Sequence, residues 1–448
     1  MNKKYLKGLL SLSLSGLMAA SLAAPVFADT NTNPTDTTTT TTTDTNTNPT
    51  DAKAYITKQF DMPVGTTRPD ETFTFNEGTI SKDGKPSTVT LGDKEVNNLG
   101  SKDIKFDSKS TKKTIEVNGA GNEHKIYRYL ASTPLLTDAD ETALKNAGAG
   151  VYTFPITESH PASGYVTPGT TPDGTKETKL TYSQAEYEVT VYVKTGANGN
   201  YIGTIKVSKE KDDQGTTITA ENEKKVDPSQ PDDNIPGSGG LRFVNTYTEK
   251  FNKLDNPGGG SPDPNDPTKP DNRDKVLSVG KIVSGDLGDK NKPFTFTVKV
   301  TQPSLVTSKD ETYHAQVFTK DGDPDGSEFT FHSGDVITKN LSHGEKLVFK
   351  DLYVGTAFEA QETDGDPTYT SSTYARLNGG DPTEKAKERA KVTGNVSENT
   401  DTVVVVNTRN TTSPTGIIVN NLPYILLVLG VVAGFVGYIA SKRRREVR

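Results

Sequence analysis

The feature that most constrains this chain is an alternation of apolar residues with a period of two. In two parts of the chain, polar residues occupy positions that this alternation assigns to the interior. In a β-strand alternate side chains share one face, so a residue that continues the apolar set points into the core. Glu158, for example, follows Tyr152, Phe154 and Ile156 at this spacing. Six residues are placed in this way, in an order that occurs twice: Lys58, Glu158, Asn245, and Lys281, Glu362, Asn407. Because burial of an isolated charge costs several kcal/mol, the repetition indicates a chemical role.

Short alternating runs separated by turn signals fill two blocks, residues 52–250 and 275–411. A linker rich in Pro, Gly and Asp, residues 251–274, lies between them. Only 31% of the residues are hydrophobic and there are 40 glycines, which suits strand-and-turn domains with thin cores. We therefore predict an all-β fold of two tandem β-sandwich domains. Two short helices are predicted within them, over residues 137–146 and 383–392.

Both ends of the chain carry transport signals. Residues 1–28 combine three lysines with an apolar run and small residues, which predicts a cleaved signal peptide rather than a membrane-spanning helix. Residues 29–51 form a Thr-rich spacer that we expect to be disordered. Residues 417–440 are long and apolar enough to span a bilayer, and the basic tail 441–448 is expected to stay in the cytoplasm. Everything before the span is then extracellular.

Charge and composition exclude several functions. Residues 1–28 hold three basic groups, and residues 416–448 hold five with one acid, so the intervening chain carries 43 basic and 57 acidic side chains. That surface repels phosphate backbones, so nucleic-acid binding is not expected. The five histidines lack metal-ligand spacing, and we expect neither a metal nor another cofactor. The segment 321–326 imitates the start of an EF-hand, but His332 stands where a glutamate is needed, so an acidic hairpin turn is favoured.

The lysine–glutamate–asparagine trios predict a covalent crosslink. The first and last strands of a sandwich are often neighbours, so the lysine and asparagine of each block are expected to meet. Burial lowers the pKa of a lysine and raises that of a carboxyl group. A protonated glutamate would then hydrogen-bond the asparagine carbonyl and pass a proton to the leaving ammonia, leaving a Lys–Asn isopeptide bond. Each domain would be a single-turnover catalyst, not an enzyme. Without cysteines, the chain cannot use disulfides for the same purpose.

An ordinary structural role remains the alternative for each residue taken alone. A lysine can extend along an edge strand to solvent, a glutamate can cap a turn, and asparagines commonly end strands. Lys53 also competes with Lys58 in the first block.

The segments around the trios resemble the isopeptide-containing domains of streptococcal T-antigen major pilins, over residues 52–448. The similar motifs are Leu-Ser-Val-Gly-Lys at 277–281, the strand 355–362 and Val-Val-Val-Asn-Thr at 404–408, with counterparts in the first block. The resemblance implies immunoglobulin-like, CnaB-type sandwiches. It also implies that Glu158 and Glu362 catalyse the crosslinks Lys58–Asn245 and Lys281–Asn407.

Residues 412–416, Thr-Ser-Pro-Thr-Gly, resemble a Gram-positive cell-wall sorting signal, although Thr412 and Ser413 replace the usual Leu and Pro. The resemblance implies that a sortase splits the chain between Thr415 and Gly416. It implies an acceptor amine shortly before the last strand of the first domain, where Lys224 and Lys225 are the candidates.

The function implied is a major pilin shaft subunit on the cell wall of a Gram-positive bacterium. Its expected partners are a polymerising sortase, identical subunits and peptidoglycan, with minor pilins and an unknown host ligand beyond them. The alternative is a monomeric wall-anchored adhesin or spacer protein.

Overall fold

The computed structural model describes residues 49–231, 239–253, 277–308, 310–411, 426–428 and 431. The described residues between 49 and 253 are called the first unit, and those between 277 and 411 the second unit. Nearly all of their regular structure is β-strand, packed as sandwiches, which confirms the predicted fold class. The signal peptide, most of the spacer and of the linker, and the sorting motif with Thr415 and Gly416 lie outside the described residues. Within the described ranges no helix is long and apolar enough to cross a membrane.

The first unit contains sixteen of the described strands. They are β1 Tyr55–Pro63, β2 Glu71–Glu77, β3 Ser81–Lys82, β4 Lys85–Pro86, β5 Val89–Leu91, β6 Lys94–Val96, β7 Ser101–Phe106, β8 Lys112–Glu116, β9 Lys125–Pro134, β10 Gly150–Glu158, β11 Val166–Thr170, β12 Lys176–Thr181, β13 Glu186–Gly196, β14 Gly199–Lys211, β15 Lys225–Val226 and β16 Leu241–Phe251. Its helices are α1 Asp138–Asn146 and α2 Glu221–Lys224, with one 3₁₀ turn at Asn122–His124.

Two sheets enclose the first core. One has the strand order β11-β12-β16-β1-β9-β8, and the other β15-β14-β13-β10-β2-β7. Their facing side chains follow the predicted alternation, as on β10, where every second residue from Tyr152 to Glu158 is buried. The rings of Phe75 and Phe243, one from each sheet, lie 4.9 Å apart. The first strand β1 is parallel to the last strand β16 and pairs with it.

The second unit repeats this plan with eleven described strands. They are β17 Leu277–Ser284, β18 Phe294–Thr301, β19 Thr312–Phe318, β20 Pro324–His332, β21 Val336–Leu341, β22 Lys346–Phe349, β23 Ala357–Glu362, β24 Thr370–Arg376, β25 Thr383–Ala386, β26 Val392–Asn395 and β27 Asp401–Thr408. The sheet β20-β19-β22-β17-β27-β24-β25 packs over β21-β18-β23-β26. Again the first strand, β17, is parallel to the last, β27.

One of the two helix predictions is confirmed and the other is wrong. Helix α1 begins after Thr137, whose side chain forms the predicted capping box with Asp140. Residues 383–392 instead form β25 and a bend, because Tyr374 of β24 pairs with Glu384. The sheet edge thus overrides a local sequence rich in good helix formers.

The two units are joined by backbone hydrogen bonds as well as by the chain. Strand β16 continues until Phe251 packs in the second core. The Phe251 N–H donates to Leu352 O at 3.0 Å, and the Val354 N–H donates to Glu249 O at 2.9 Å. At Gly355, with φ +87°, a Cβ would lie 2.3 Å from Pro63 Cβ, so only glycine fits this close approach. The end of one sandwich is therefore held against the other.

Candidate functional site

Lys58, Glu158 and Asn245 lie together inside the first core. Lys58 is on β1, and its register partner on the parallel strand β16 is Phe243, so Asn245 lies two residues further along. Glu158 ends β10 in the opposing sheet. Lys58 and Asn245 have no exposed surface and Glu158 is only 4% exposed. The carboxylate therefore crosses the sandwich to meet two side chains of the other sheet.

Lys281, Glu362 and Asn407 form the same arrangement in the second core. Lys281 on β17 pairs with Val405 of the parallel strand β27, again two residues before the asparagine. Glu362 ends β23 in the facing sheet. All three side chains are buried. The structure thus brings the six predicted residues together as two separate trios.

In both units the glutamate bridges the lysine amine and the asparagine amide nitrogen. Lys58 Nζ donates to Glu158 Oε2 at 2.6 Å, and Asn245 Nδ2 donates to Glu158 Oε1 at 2.7 Å. The corresponding distances in the second unit are 2.6 Å and 2.8 Å. Each carboxyl oxygen accepts a hydrogen bond from one of the two partners. The same carboxyl group is therefore within hydrogen-bond distance of the amine, from which it can accept a proton, and of the amide nitrogen.

The asparagine carbonyl oxygens have other donors, so the expected hydrogen bond from glutamate to this carbonyl is wrong. Asn245 Oδ1 accepts from the backbone N–H of Ser183 at 2.7 Å. Since an N–H only donates, it fixes which side of the amide is oxygen. Asn407 Oδ1 accepts from Ser371 Oγ at 2.7 Å. The glutamate instead accepts a hydrogen bond from the amide nitrogen.

Both amines are buried against an aromatic ring. The Phe73 ring centroid is 4.5 Å from Lys58 Nζ, and that of Phe294 is 4.1 Å from Lys281 Nζ. Burial lowers the pKa of each lysine to about 8. Burial also raises the pKa of Glu158, against the opposing effect of the Lys58 charge. In the first unit, desolvation therefore shifts the Lys58–Glu158 pair toward a neutral amine and a protonated carboxyl group.

The polar groups around the two trios differ. In the first unit, Ser183 Oγ donates to Asp213 Oδ1 at 2.6 Å, and Lys209 Nζ pairs with the other carboxylate oxygen at 3.0 Å. In the second unit, Arg389 Nη1 donates to Ser371 Oγ at 3.1 Å. The positive charge of Arg389 further lowers the pKa of Lys281, after the larger effect of burial.

Sequence reasoning missed Ser183, Asp213, Ser371 and Arg389. Ser371 could have been found, because it takes an interior strand position on β24 just as the trio residues do on their strands. Ser183, Asp213 and Arg389 lie in connections between strands. Only the folded chain brings them to the site, so no local pattern identifies them.

Lys53 does not compete with Lys58 in the structure. Its side chain is 47% exposed and its amine is 2.5 Å from Glu141 Oε1. The hydrogen bond to Glu141 raises the pKa of Lys53, which makes its amine a poorer nucleophile.

Lys224 and Lys225 lie on the surface of the first unit, away from the trio. Lys224 Nζ is 2.8 Å from Glu210 Oε2 and 3.4 Å from Glu221 Oε1. The hydrogen bond to Glu210 raises the pKa of Lys224. Lys225 is exposed at the start of the edge strand β15.

The acidic segment 321–326 forms the turn between β19 and the start of β20, where the Gly322 N–H donates to Thr319 O. Among the residues that the structure describes, no group of three or more histidines and carboxylates could hold a metal ion.

Comparisons with known proteins find one family model and several solved structures. Residues 275–409 match the model of a family described as a domain of unknown function, DUF7601. No curated protein sequence matches the chain. The structure is similar to the major pilin from Streptococcus pyogenes at 17% identity, over 81% of this chain and 100% of that one, with a TM-score of 0.31. A second major pilin of that species, T3.2, gives 19% identity over 81% and 99%, with a TM-score of 0.29. A pilus-presented adhesin gives 12% identity over 81% and 100%, with a TM-score of 0.25.

Proposed function

We propose that each unit joins its lysine to its asparagine through an isopeptide bond, and that the chain is a structural protein of the cell surface. The observation that carries this proposal is the bridging glutamate, which contacts both the amine and the amide nitrogen in two independent cores. A buried lysine–glutamate pair contributes little to stability by itself, so its occurrence twice beside an asparagine amide calls for a chemical reason.

The reaction balances within the trio. The glutamate takes a proton from the lysine ammonium, and the neutral Nζ attacks Cγ of the asparagine. The new N–C bond forms first. The C–Nδ2 bond then breaks as the glutamate's proton goes to Nδ2, which leaves as ammonia. The glutamate then takes the remaining surplus proton from Nζ and ends protonated. Proximity of the amine and the amide inside a rigid core replaces a bimolecular encounter.

The mass of the chain tests the proposal. The full chain, isolated unfolded from inclusion bodies, is expected to have its sequence mass, and after refolding by dilution into mild detergent to have lost two molecules of ammonia. Glu158→Ala and Glu362→Ala should each retain one ammonia, because neither leaves a group to move the proton. Peptide mapping should show Lys58 joined to Asn245 and Lys281 to Asn407. A refolded chain with an unchanged mass contradicts the proposal.

Bond formation in the first unit is expected to have a bell-shaped dependence on pH. The reactive pair, a neutral Lys58 and a protonated Glu158, has the same total number of protons as the ion pair of a charged Lys58 and an ionised Glu158. Above the lysine pKa of about 8 the pair loses one proton, and with it the acid that protonates the leaving group. Below the raised pKa of Glu158 the pair gains a proton and the amine stays charged. Asp61 and Asp213 are the other charges that favour protonated Lys58.

Refolding in buffers from mildly acidic to alkaline, followed by mass measurement over time, gives this profile. A rate that keeps rising well above pH 8 would show that no protonated carboxyl group is needed.

We further propose that the chain is a pilus shaft subunit, exported, split after Thr415 by a sortase and linked to the next subunit. The signal peptide, sorting motif, span and basic tail of the sequence support this, as does a fold of the kind seen in pilins. Each crosslink would join the first strand of a unit to its last, so tension along the fibre would pass through a covalent bond. Lys225 is the better acceptor, since its neighbour Lys224 is held charged by Glu210. The alternative, a monomeric wall-anchored adhesin or spacer, would use the same crosslinks.

A further inference from the structure

The carbonyl oxygen of Asn407 has its own hydrogen-bond donor, distinct from Glu362. Strand β24 is antiparallel to β27, and Ser371 lies directly opposite Asn407 in the register. Ser371 is 8% exposed, and its Oγ is 2.7 Å from Asn407 Oδ1. This oxygen is the atom that gains negative charge when an amine attacks the amide carbon. A donor already aimed at it, away from water, is an efficient way to stabilise that charge.

Arg389 sets the direction of the serine hydroxyl. Its Nη1 donates to Ser371 Oγ at 3.1 Å. A guanidinium cannot accept a hydrogen bond, so the serine oxygen is the acceptor in this contact. The serine hydrogen is then free to point at Asn407. A charged donor also polarises the hydroxyl and strengthens the bond that it makes.

We propose that Ser371 is a catalytic residue of the second unit, acting as the oxyanion donor to Asn407 Oδ1, and that Arg389 is its positioning residue. The inference rests on the isopeptide reaction proposed above. As Lys281 Nζ bonds to Cγ, the π electrons of the carbonyl move to Oδ1, which Ser371 stabilises without giving up its proton. When the C–Nδ2 bond breaks, the carbonyl re-forms and ammonia leaves with the proton from Glu362.

In the first unit a different kind of donor contacts the corresponding oxygen, Oδ1 of Asn245. Asn245 Oδ1 accepts from the backbone N–H of Ser183, whose side chain is tied to Asp213. Asp213 also accepts from the Val244 N–H at 2.8 Å, so it holds the loop against β16 beside Asn245. A backbone donor cannot be removed by truncating a side chain. The first crosslink therefore serves as an internal reference for the second within the same molecule.

The test is the rate of the second crosslink during refolding of the full chain, followed by intact mass and peptide mapping. Ser371→Ala is expected to slow this bond by on the order of a hundredfold, the usual cost of losing one oxyanion donor, while the first bond forms at the wild-type rate. Ser372→Ala is the matched control, since it makes the same change at the next residue of β24, which is not part of the trio's surroundings. Ser371→Thr keeps the hydroxyl and should restore the rate, which a purely structural role would not predict.

Arg389→Gln should give a smaller slowing, most of which disappears when Ser371 is already alanine, because Arg389 acts through the hydroxyl. This loop position is outside the core, so the variant tests the inference even where Ser371→Ala fails to fold. Equal rates for Ser371→Ala and Ser372→Ala, or a wild-type rate for Arg389→Gln, would overturn the inference and leave the crosslink intact. Loss of no ammonia from the second unit of the wild-type chain would overturn the crosslink as well.

Discussion

Replacing Glu158 with glutamine is expected to lower the free energy of unfolding of the first unit by at least about 5 kcal/mol more than the matched change Glu77→Gln. Both glutamates are buried beside a lysine, since Glu77 Oε1 lies 3.2 Å from Lys102 Nζ. Only Glu158 also contacts an asparagine amide. The Glu158 variant therefore loses a crosslink that closes the chain from residue 58 to residue 245, and the unfolded state gains the corresponding entropy.

A second variant separates the effect of losing the crosslink on stability from the effect of leaving the Lys58 charge unpaired. Glu158→Gln leaves Lys58 without a counter-charge, whereas Lys102 keeps Asp140 at 3.2 Å. Adding Lys58→Met removes the stranded charge, and exchange of a buried ion pair for apolar groups is often neutral. The double variant should still be about 5 kcal/mol less stable than the wild type. Denaturant unfolding followed by circular dichroism measures this, and a double variant as stable as the wild type would mean that no crosslink is lost.

We expect the wild-type chain to form a covalent ladder of subunits in its own bacterium, and replacing Lys225 with arginine to abolish that ladder. Arginine keeps the positive charge but is not a nucleophilic amine, so a sortase acyl-enzyme formed at Thr415 has no subunit acceptor. Lys224→Arg is the control, with the same change at the adjacent residue, and should leave the ladder unchanged. Immunoblots of wall extracts on denaturing gels measure the result.

The same gels distinguish a pilin subunit from the alternative function, a monomeric wall-anchored adhesin or spacer. A monomeric adhesin or spacer would give one main wall-linked species for the wild type and for both lysine variants. A ladder lost in Lys224→Arg and kept in Lys225→Arg would instead reverse the choice of acceptor.

The strand pattern predicted most of the fold because each sheet has one face in a core. The alternation on β10 and β18 requires a buried face of apolar residues, and the structure has it. The predicted helix at 383–392 is wrong because a long-range interaction outweighed the local preference. Its sequence favours a helix locally, but an unpaired edge of β24 lay beside it, and strand pairing was the stronger interaction.

The alternation of apolar residues could not predict which atom of each asparagine amide, oxygen or nitrogen, faces the glutamate. Periodicity placed the glutamate on the interior face, yet it gave no information on which atom of the asparagine that glutamate meets. The answer depends on Ser183, which follows β12, and on Ser371 of β24. Both reach the asparagine through strand pairing between distant parts of the chain.

The sequence by itself determined which residues are buried, because side-chain alternation along a strand is a local property. The interior positions of the six trio residues follow from it. Only the tertiary structure decided how they meet. Parallel pairing of the first and last strands sets the lysine two residues from the asparagine, and the facing sheet brings the carboxylate to the amide nitrogen. These distances depend on long-range pairing and sheet packing, which no short segment of sequence specifies.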